Sequence, residues 1–149
     1  RDGRPERWLA PDAFRSGQPV VDRNRVFVTR PGADGVDALV VISSTTGAPL
    51  QAFPLGAPAR RSTPAVDSSG NVLVATNDGM LMAFDREGGL RFSLDLPFVA
   101  AEPISVALGN VRRAVVIASE TVYGIEYDLP LGATAWPRHR RDNFGTANR

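Results

Sequence analysis

The chain has 149 residues, no cysteine and no lysine: all 17 basic side chains are arginine, set against 16 carboxylates and one histidine. That excludes a disulfide framework, a cysteine zinc site, an iron–sulfur cluster and a thiol nucleophile, and also a Walker-A phosphate loop, a Schiff base and a Ser-Lys dyad. A net charge of +1 lacks the basic surplus that nucleic-acid binders carry.

The first strand-like run is Val26-Phe27-Val28-Thr29, followed by Ala38-Leu39-Val40-Val41-Ile42. Next come Val72-Leu73-Val74-Ala75, Met80-Leu81-Met82-Ala83-Phe84 and Leu90-Arg91-Phe92-Ser93-Leu94. Ala114 to Ala118 and Val122 to Tyr127 complete the series. Each is short, rich in β-branched or aromatic residues, and bounded by Gly, Pro, Asp or Asn, which is the strand signal. Between them stand Ser69-Gly70-Asn71, Asn77-Asp78-Gly79, Glu87-Gly88-Gly89 and Gly109-Asn110, each with a glycine able to supply the positive φ of a tight turn. The sequence shows little helical periodicity. A hydrophobic fraction of 43% supports a core, and no apolar run approaches the roughly 20 residues of a membrane helix. Arginine without lysine, beside many Ala, Gly and Pro, reads as the compositional bias of a GC-rich genome.

The runs repeat. Gln18-Pro19-Val20-Val21-Asp22 matches Thr63-Pro64-Ala65-Val66-Asp67, and a third copy opens at Glu102-Pro103-Ile104-Ser105-Val106. Val26 to Thr29 matches Val72 to Ala75, Ala38 to Ile42 matches Met80 to Phe84, and Thr46-Gly47-Ala48-Pro49-Leu50 matches Glu87-Gly88-Gly89-Leu90. The leading prolines lie 45 and 39 residues apart, and a period of about 40 with four strands per unit is the size of a β-propeller blade. The extra residues of the first unit fall at Arg30 to Val36, read as an extended loop between its second and third strands.

The middle unit resembles the repeat of pyrroloquinoline-quinone-type (PQQ-like) β-propellers. Pro64, Val66, Gly70, Val72, Val74, Asp78, Gly79, Leu81, Ala83, Phe84, Asp85 and Gly88 fall on that pattern. Phe92 and, in the first unit, Phe53 replace the usual blade-ending Trp, while the third unit has Ser119-Glu120-Thr121 in place of Asp-Gly. The segment from Trp136-Pro137 to Thr146 resembles one found at the ends of secreted or envelope propellers. The resemblance implies an all-β fold: an arc of about three antiparallel four-stranded blades, over 17–60, 61–100 and 101–134, within a larger propeller. Residues 1–16 are then the end of a preceding blade or a linker, with Arg7-Trp8-Leu9 as its last strand, and residues 135–149 form an Arg-rich tail.

Propellers typically close with 4 to 8 blades. Three would leave open edges, so the rest of the ring is expected from upstream sequence. Assembly from several copies and another β fold, such as a sandwich, stay open. The chain opens Arg1-Asp2-Gly3-Arg4 with no apolar leader, as a processed chain or a piece of a longer one would.

Few residues point to chemistry. Quinoprotein dehydrogenases with this repeat use an Asp base, Glu and Asn calcium ligands and usually a cysteine pair; none of that set is visible, so no quinone or other cofactor is expected. His139, the lone histidine, has no Gly-x-Ser-x-Gly elbow to serve and cannot alone build a multi-histidine metal site. Asp67, Asn71, Asp78 and Asp85 offer hard oxygens without the spacing of a calcium loop and read as turn residues. Aromatics at 7% are thin for a sugar or single-strand platform. The candidate partner contact is the tail cluster Trp136, Arg138, His139, Arg140 and Arg141, which could grip an acidic partner or phosphate. The competing reading docks Trp136 on a neighbouring blade, with the arginines paired to turn carboxylates.

The expected function is therefore non-catalytic: a scaffold or protein-interaction module of a bacterial exported or envelope protein, located in the periplasm or envelope or secreted, by resemblance. Its expected partners are a protein or the remaining blades of the ring, with no nucleic acid and no membrane span, and a homo-oligomer remains open. Two alternatives remain: a fragment of a propeller enzyme (hydrolase, lyase or quinoprotein) whose catalytic residues lie outside this chain, or an oligomeric, lectin-like ligand binder.

Overall fold

A computed structural model describes residues 18–31, 36–59, 62–97, 104–108, 113–118 and 121–127, and the structural statements below concern these. Among them there are eleven strands and no helix. The first sheet holds β1 (Val20–Asp22), β2 (Arg25–Pro31), β3 (Asp37–Ser43) and β4 (Pro49–Pro54). The second holds β5 (Ala65–Val66), β6 (Val72–Ala75), β7 (Met80–Phe84) and β8 (Leu90–Asp95). The third holds β9 (Ile104–Leu108), β10 (Arg113–Ala118) and β11 (Thr121–Glu126). Strands pair with their chain neighbours, antiparallel throughout, so each sheet is a meander of the propeller-blade kind. The fold is all-β, in three blade-like sheets that do not close into a ring among the described residues.

One detail differs from the sequence reading. Arg30 and Pro31 belong to β2 and pair with Ala38 and Asp37 of β3, so the first-unit loop is shorter than Arg30 to Val36. The third sheet shows three strands among the described residues, and the chain expected to supply its fourth lies outside them.

The turns share one device. The backbone N–H of Asp67, Thr76 and Asp85 donates to the carbonyl four residues on, and Gly70, Gly79 and Gly88 donate back to the carbonyls of those three residues. All three glycines have φ between 83° and 94°, where a Cβ is strained. The carboxylates of Asp67 and Asp85 add a second lock. Asp67 Oδ1 accepts from Ser69 N at 2.8 Å and Asn71 N at 2.9 Å. Asp85 Oδ1 accepts from Glu87 N at 3.0 Å and Gly89 N at 2.7 Å. These are Asx turns, which explains why Asp leads them.

Strand alternation then sorts the apolar side chains onto two faces. Sheet two is apolar on both. Val66, Val72, Val74, Met82 and Phe84 pack with Val20, Phe27, Leu39 and Val41 of sheet one. Ala65, Leu73, Ala75, Leu81 and Ala83 pack with Ile104, Val106, Leu108, Ala114, Val116 and Ala118 of sheet three.

Backbone stitches reinforce the packing where the chain passes between sheets. Thr63 N donates to Ile104 O at 2.8 Å and Val106 N to Thr63 O at 3.0 Å, which ties the innermost strands of sheets two and three together in parallel. Thr29 Oγ1 donates to Ser62 O at 2.8 Å. Asp37 Oδ2 accepts the buried N–H of Ala59 at 2.7 Å.

Leu81 is fully buried between sheets two and three, whereas Leu50 on the outer strand β4 is 52% exposed. Leu81→Ala should destabilise by about 2–5 kcal/mol, and Leu50→Ala by no more than about 0.5 kcal/mol. Chemical denaturation of the two variants checks the difference; equal losses would contradict the sandwiched position of sheet two.

Candidate functional site

The most connected polar group of the described residues lies between sheets two and three. It begins with Asp67, 1% exposed at the end of β5. Its Oδ2 accepts from Asn71 Nδ2 at 2.6 Å and from the hydroxyl of Tyr127, just past β11, at 2.6 Å. Arg91 Nη1 on β8 donates to Asn71 Oδ1 at 3.4 Å. With its two turn amides, Asp67 receives four hydrogen bonds, which fills the lone-pair capacity of a carboxylate. An acceptor so fully engaged has no free lone pair to abstract a proton or ligate a cation. Its geometry makes it a latch that ties the end of β11 to the β5–β6 turn.

The Tyr127 hydroxyl is pushed well above its ordinary pKa, first by burial, then by its hydrogen bond to Asp67 and by that carboxylate's negative charge. Its ring also meets Phe92 of β8, with centroids 5.9 Å apart and planes tilted by 53°. One sheet earlier Phe53 of β4 stacks on Phe84 of β7, centroids 5.4 Å apart and planes within 15°. The aromatic of each outer strand therefore packs against the last aromatic of the next sheet's third strand. Gly88 belongs to the first of these contacts: a Cβ there would collide with the Phe53 ring.

At the junction of sheets one and two, Arg25 Nη2 pairs with Asp22 Oδ2 at 3.3 Å. Its Nη1 reaches the Arg86 carbonyl at 3.3 Å, and its guanidinium sits 5.1 Å from the Phe27 ring centre.

A cleft of about 650 Å³ lies between β8 and β11, lined by Arg91 to Leu94 and Ile125 to Tyr127. It combines apolar walls with one basic and one acidic side chain. Among the described residues no cluster of three or more His, Asp or Glu is placed to hold a metal, and no helix is long and apolar enough to cross a membrane.

The sequence-predicted contact residues Trp136, Arg138, His139, Arg140 and Arg141 lie outside the described residues, as do Arg7-Trp8-Leu9 and Ser119-Glu120. Asp67, Asp78 and Asp85 each serve their own turns; Asp78 Oδ1 accepts the hydroxyl proton of Thr76. Sequence reasoning missed the latch. Asp67 was visible as a turn residue and Tyr127 as a strand end, but they stand 60 residues apart. No signal local to either residue announces the pairing.

A family model described as "Outer membrane protein assembly factor BamB", built on the PQQ-like repeat, matches residues 2–123. The chain belongs to this PQQ-like β-propeller repeat family. The match spans the four strands of each of the first two sheets and most of the third. It agrees with the repeat read from Pro19, Pro64 and Pro103 and with the meander topology of the sheets. The family's description ties it to the cell envelope. No curated protein matches the chain.

Removing the latch hydroxyl in Tyr127→Phe should cost about 1–3 kcal/mol, since a buried carboxylate loses a donor. The pH dependence has a definite sign. Above about pH 10 the unfolded chain releases the tyrosine proton and the folded chain holds it, so the unfolded state gains. The latch contribution is thus complete below that pH and declines as alkalinity rises. Denaturation curves of the parent chain and Tyr127→Phe should converge in alkaline solution; a constant gap would refute the assignment.

Gly88→Ala combines a forbidden φ with the collision against Phe53 and should destabilise by about 2 kcal/mol or more. Thermal melting reads it, and an unchanged midpoint would mean that Phe53 yields freely.

Proposed function

We propose that the chain is a non-catalytic section of an exported or envelope β-propeller that presents its rim to a protein partner. The supporting observation is where the exposed apolar groups fall. β4 and β8 are the outermost strands of their sheets, and their leucines project into solvent: Leu50 and Leu90 at 52%, Leu94 at 40%. Exposed leucines on two successive outer strands, each hydrogen-bonded into its sheet, form a surface suited to apolar protein contact. The polar side chains support the same reading. Asp22, Asp37, Asp67, Asp78 and Asp85 are each engaged within the fold, so they hold the scaffold rather than face a substrate. The family description as an outer membrane protein assembly factor suggests a partner within the assembly machinery of a bacterial envelope.

The test is site-specific photo-crosslinking in the source cells, with the photoreactive residue at Leu50 or Leu90 and, as control, at the exposed turn residue Ser68. A discrete adduct from both rim positions that fractionates with the envelope, and none from Ser68, is the expected result. Absence of a rim adduct, or the same adducts from all three positions, would refute the reading.

A further inference from the structure

We propose that the free edge of β8 takes an extended segment of a partner protein as an antiparallel fifth strand of sheet two, with a basic residue opposite Asp95 and an acidic residue opposite Arg91. It rests on the reading of the rim as a partner surface and names the form that the partner takes there. Among the described residues β8 pairs only with β7. The phase of that pairing is fixed where Leu96 N donates to Gly79 O at 2.7 Å. Alternate residues of an antiparallel strand turn their backbone groups to opposite sides. Leu94 and Phe92 therefore bond towards β7, while the N–H and C=O of Ser93 and Asp95 point away from it. Both residues are exposed. Such a row of outward amides and carbonyls is a template for one more strand.

Sheet one shows that this openness is particular to β8. There Leu55 N donates to Asp37 O as Leu96 N does to Gly79 O, and each outer strand carries one register shift, opposite Val41/Ile42 and Ala83/Phe84. Pro54 therefore stands where β8 has Asp95, and Pro49 where it has Leu90. Proline offers no N–H and blunts an edge, so β4 is stopped at both ends and β8 at neither. The side chains say what the added strand carries. Phe92 packs on Tyr127, and Leu94, 40% exposed, shares its face. Residues opposite these two stand beside the cleft that they line with Ile125 and Tyr127, which selects apolar side chains. Charge selects the direction. Arg91 and Asp95 are exposed at opposite ends of the edge, and Arg91 donates to the neutral side chain of Asn71. An antiparallel segment with its base first and its acid last meets both with opposite charge; run parallel, it meets both with like charge.

The probe is a terminally blocked peptide, Lys-Val-Thr-Val-Glu. Its controls are the reversed Glu-Val-Thr-Val-Lys and the first peptide N-methylated at its threonine, which cannot donate to the Ser93 carbonyl. Amide hydrogen exchange of the full chain in millimolar peptide should slow at Ser93 and Asp95 by about threefold or more with the first peptide and with neither control. In Ser93→Pro, which removes an outward amide and none that bonds β7, the slowing at Asp95 should vanish while Met80–Phe84 keeps its rate. No slowing with the first peptide, or equal slowing with either control, would overturn the proposal. Should Ser93→Pro also loosen Met80–Phe84, Asp95→Pro decides, since it copies Pro54 of β4: loss of the slowing at Ser93 supports the proposal, and its persistence refutes it. The crosslinks at Leu50 and Leu90 test the rim separately. Adducts there with no response to the peptide overturn the strand edge alone, whereas a peptide response without adducts supports the strand edge and overturns the wider rim surface.

Discussion

The fold depends on a demand made of sheet two: it must be apolar on both faces at once. A sheet packed on one side reads as clean alternation, whereas one packed on both sides reads as a continuous apolar run. Val72 to Ala75 and Leu81 to Phe84 are such runs, and every one of those side chains is buried. Odd and even positions go to different neighbours: Leu73 and Leu81 towards sheet three, Val72 and Met82 towards sheet one. A one-residue slip in register would exchange the two sets, putting Leu81 where Met82 belongs. The repeat therefore needs turns that cannot slip, and this accounts for the polar chemistry of the chain. Asp67, Thr76 and Asp85 each anchor a turn whose glycine occupies a conformation other residues resist.

The same demand explains why few side chains are left for other work. A polar group placed on either face of a middle sheet would be buried and would need a partner. The buried polar residues accordingly sit at strand ends and crossings, where backbone amides are available. Asp37 holds the amide of Ala59, Thr29 the carbonyl of Ser62, and Asp67 two amides of its own turn. The surface that this burial leaves free includes the rim and the turns. The rim is where β4 and β8 expose leucines that the core does not need.

Much of the fold was legible because the signals were local. Asp78-Gly79 between two apolar runs specifies a hairpin from neighbouring residues alone, and the repeat multiplies that information by showing it at similar intervals. The strand cores from Val26 to Tyr127 were found for this reason. The boundary of β2 was not, since Arg30 and Pro31 carry turn-like composition; they extend the strand because Asp37 and Ala38 stand opposite, and pairing overrides propensity. The latch was illegible for a different reason. Nothing in the neighbourhood of Asp67 announces that one of its oxygens faces the next sheet. That fact arises only when sheets two and three are stacked and Tyr127 arrives from a distant part of the chain.

The latch and the aromatic pairs show how such a repeat holds together beyond apolar contact. In a linear stack each unit contacts only its neighbours, so stability resides largely in the interfaces. The two interfaces here solve the same problem differently. Between sheets one and two, two phenylalanines lie nearly parallel and Arg25 bridges to the Arg86 carbonyl. Between sheets two and three, the corresponding ring is a tyrosine, tilted, with its hydroxyl committed to Asp67. The second arrangement is more directional, because a hydrogen bond to a buried carboxylate tolerates less displacement than ring contact does. It fixes the end of β11, the last strand of the third sheet among the described residues, to the first turn of sheet two. The orientation of the third sheet is thus set from sheet two outward: by the Thr63 bridge at the inner end, the Phe92–Tyr127 contact at the outer, and the Asp67 carboxylate tying the end of β11 to the β5–β6 turn.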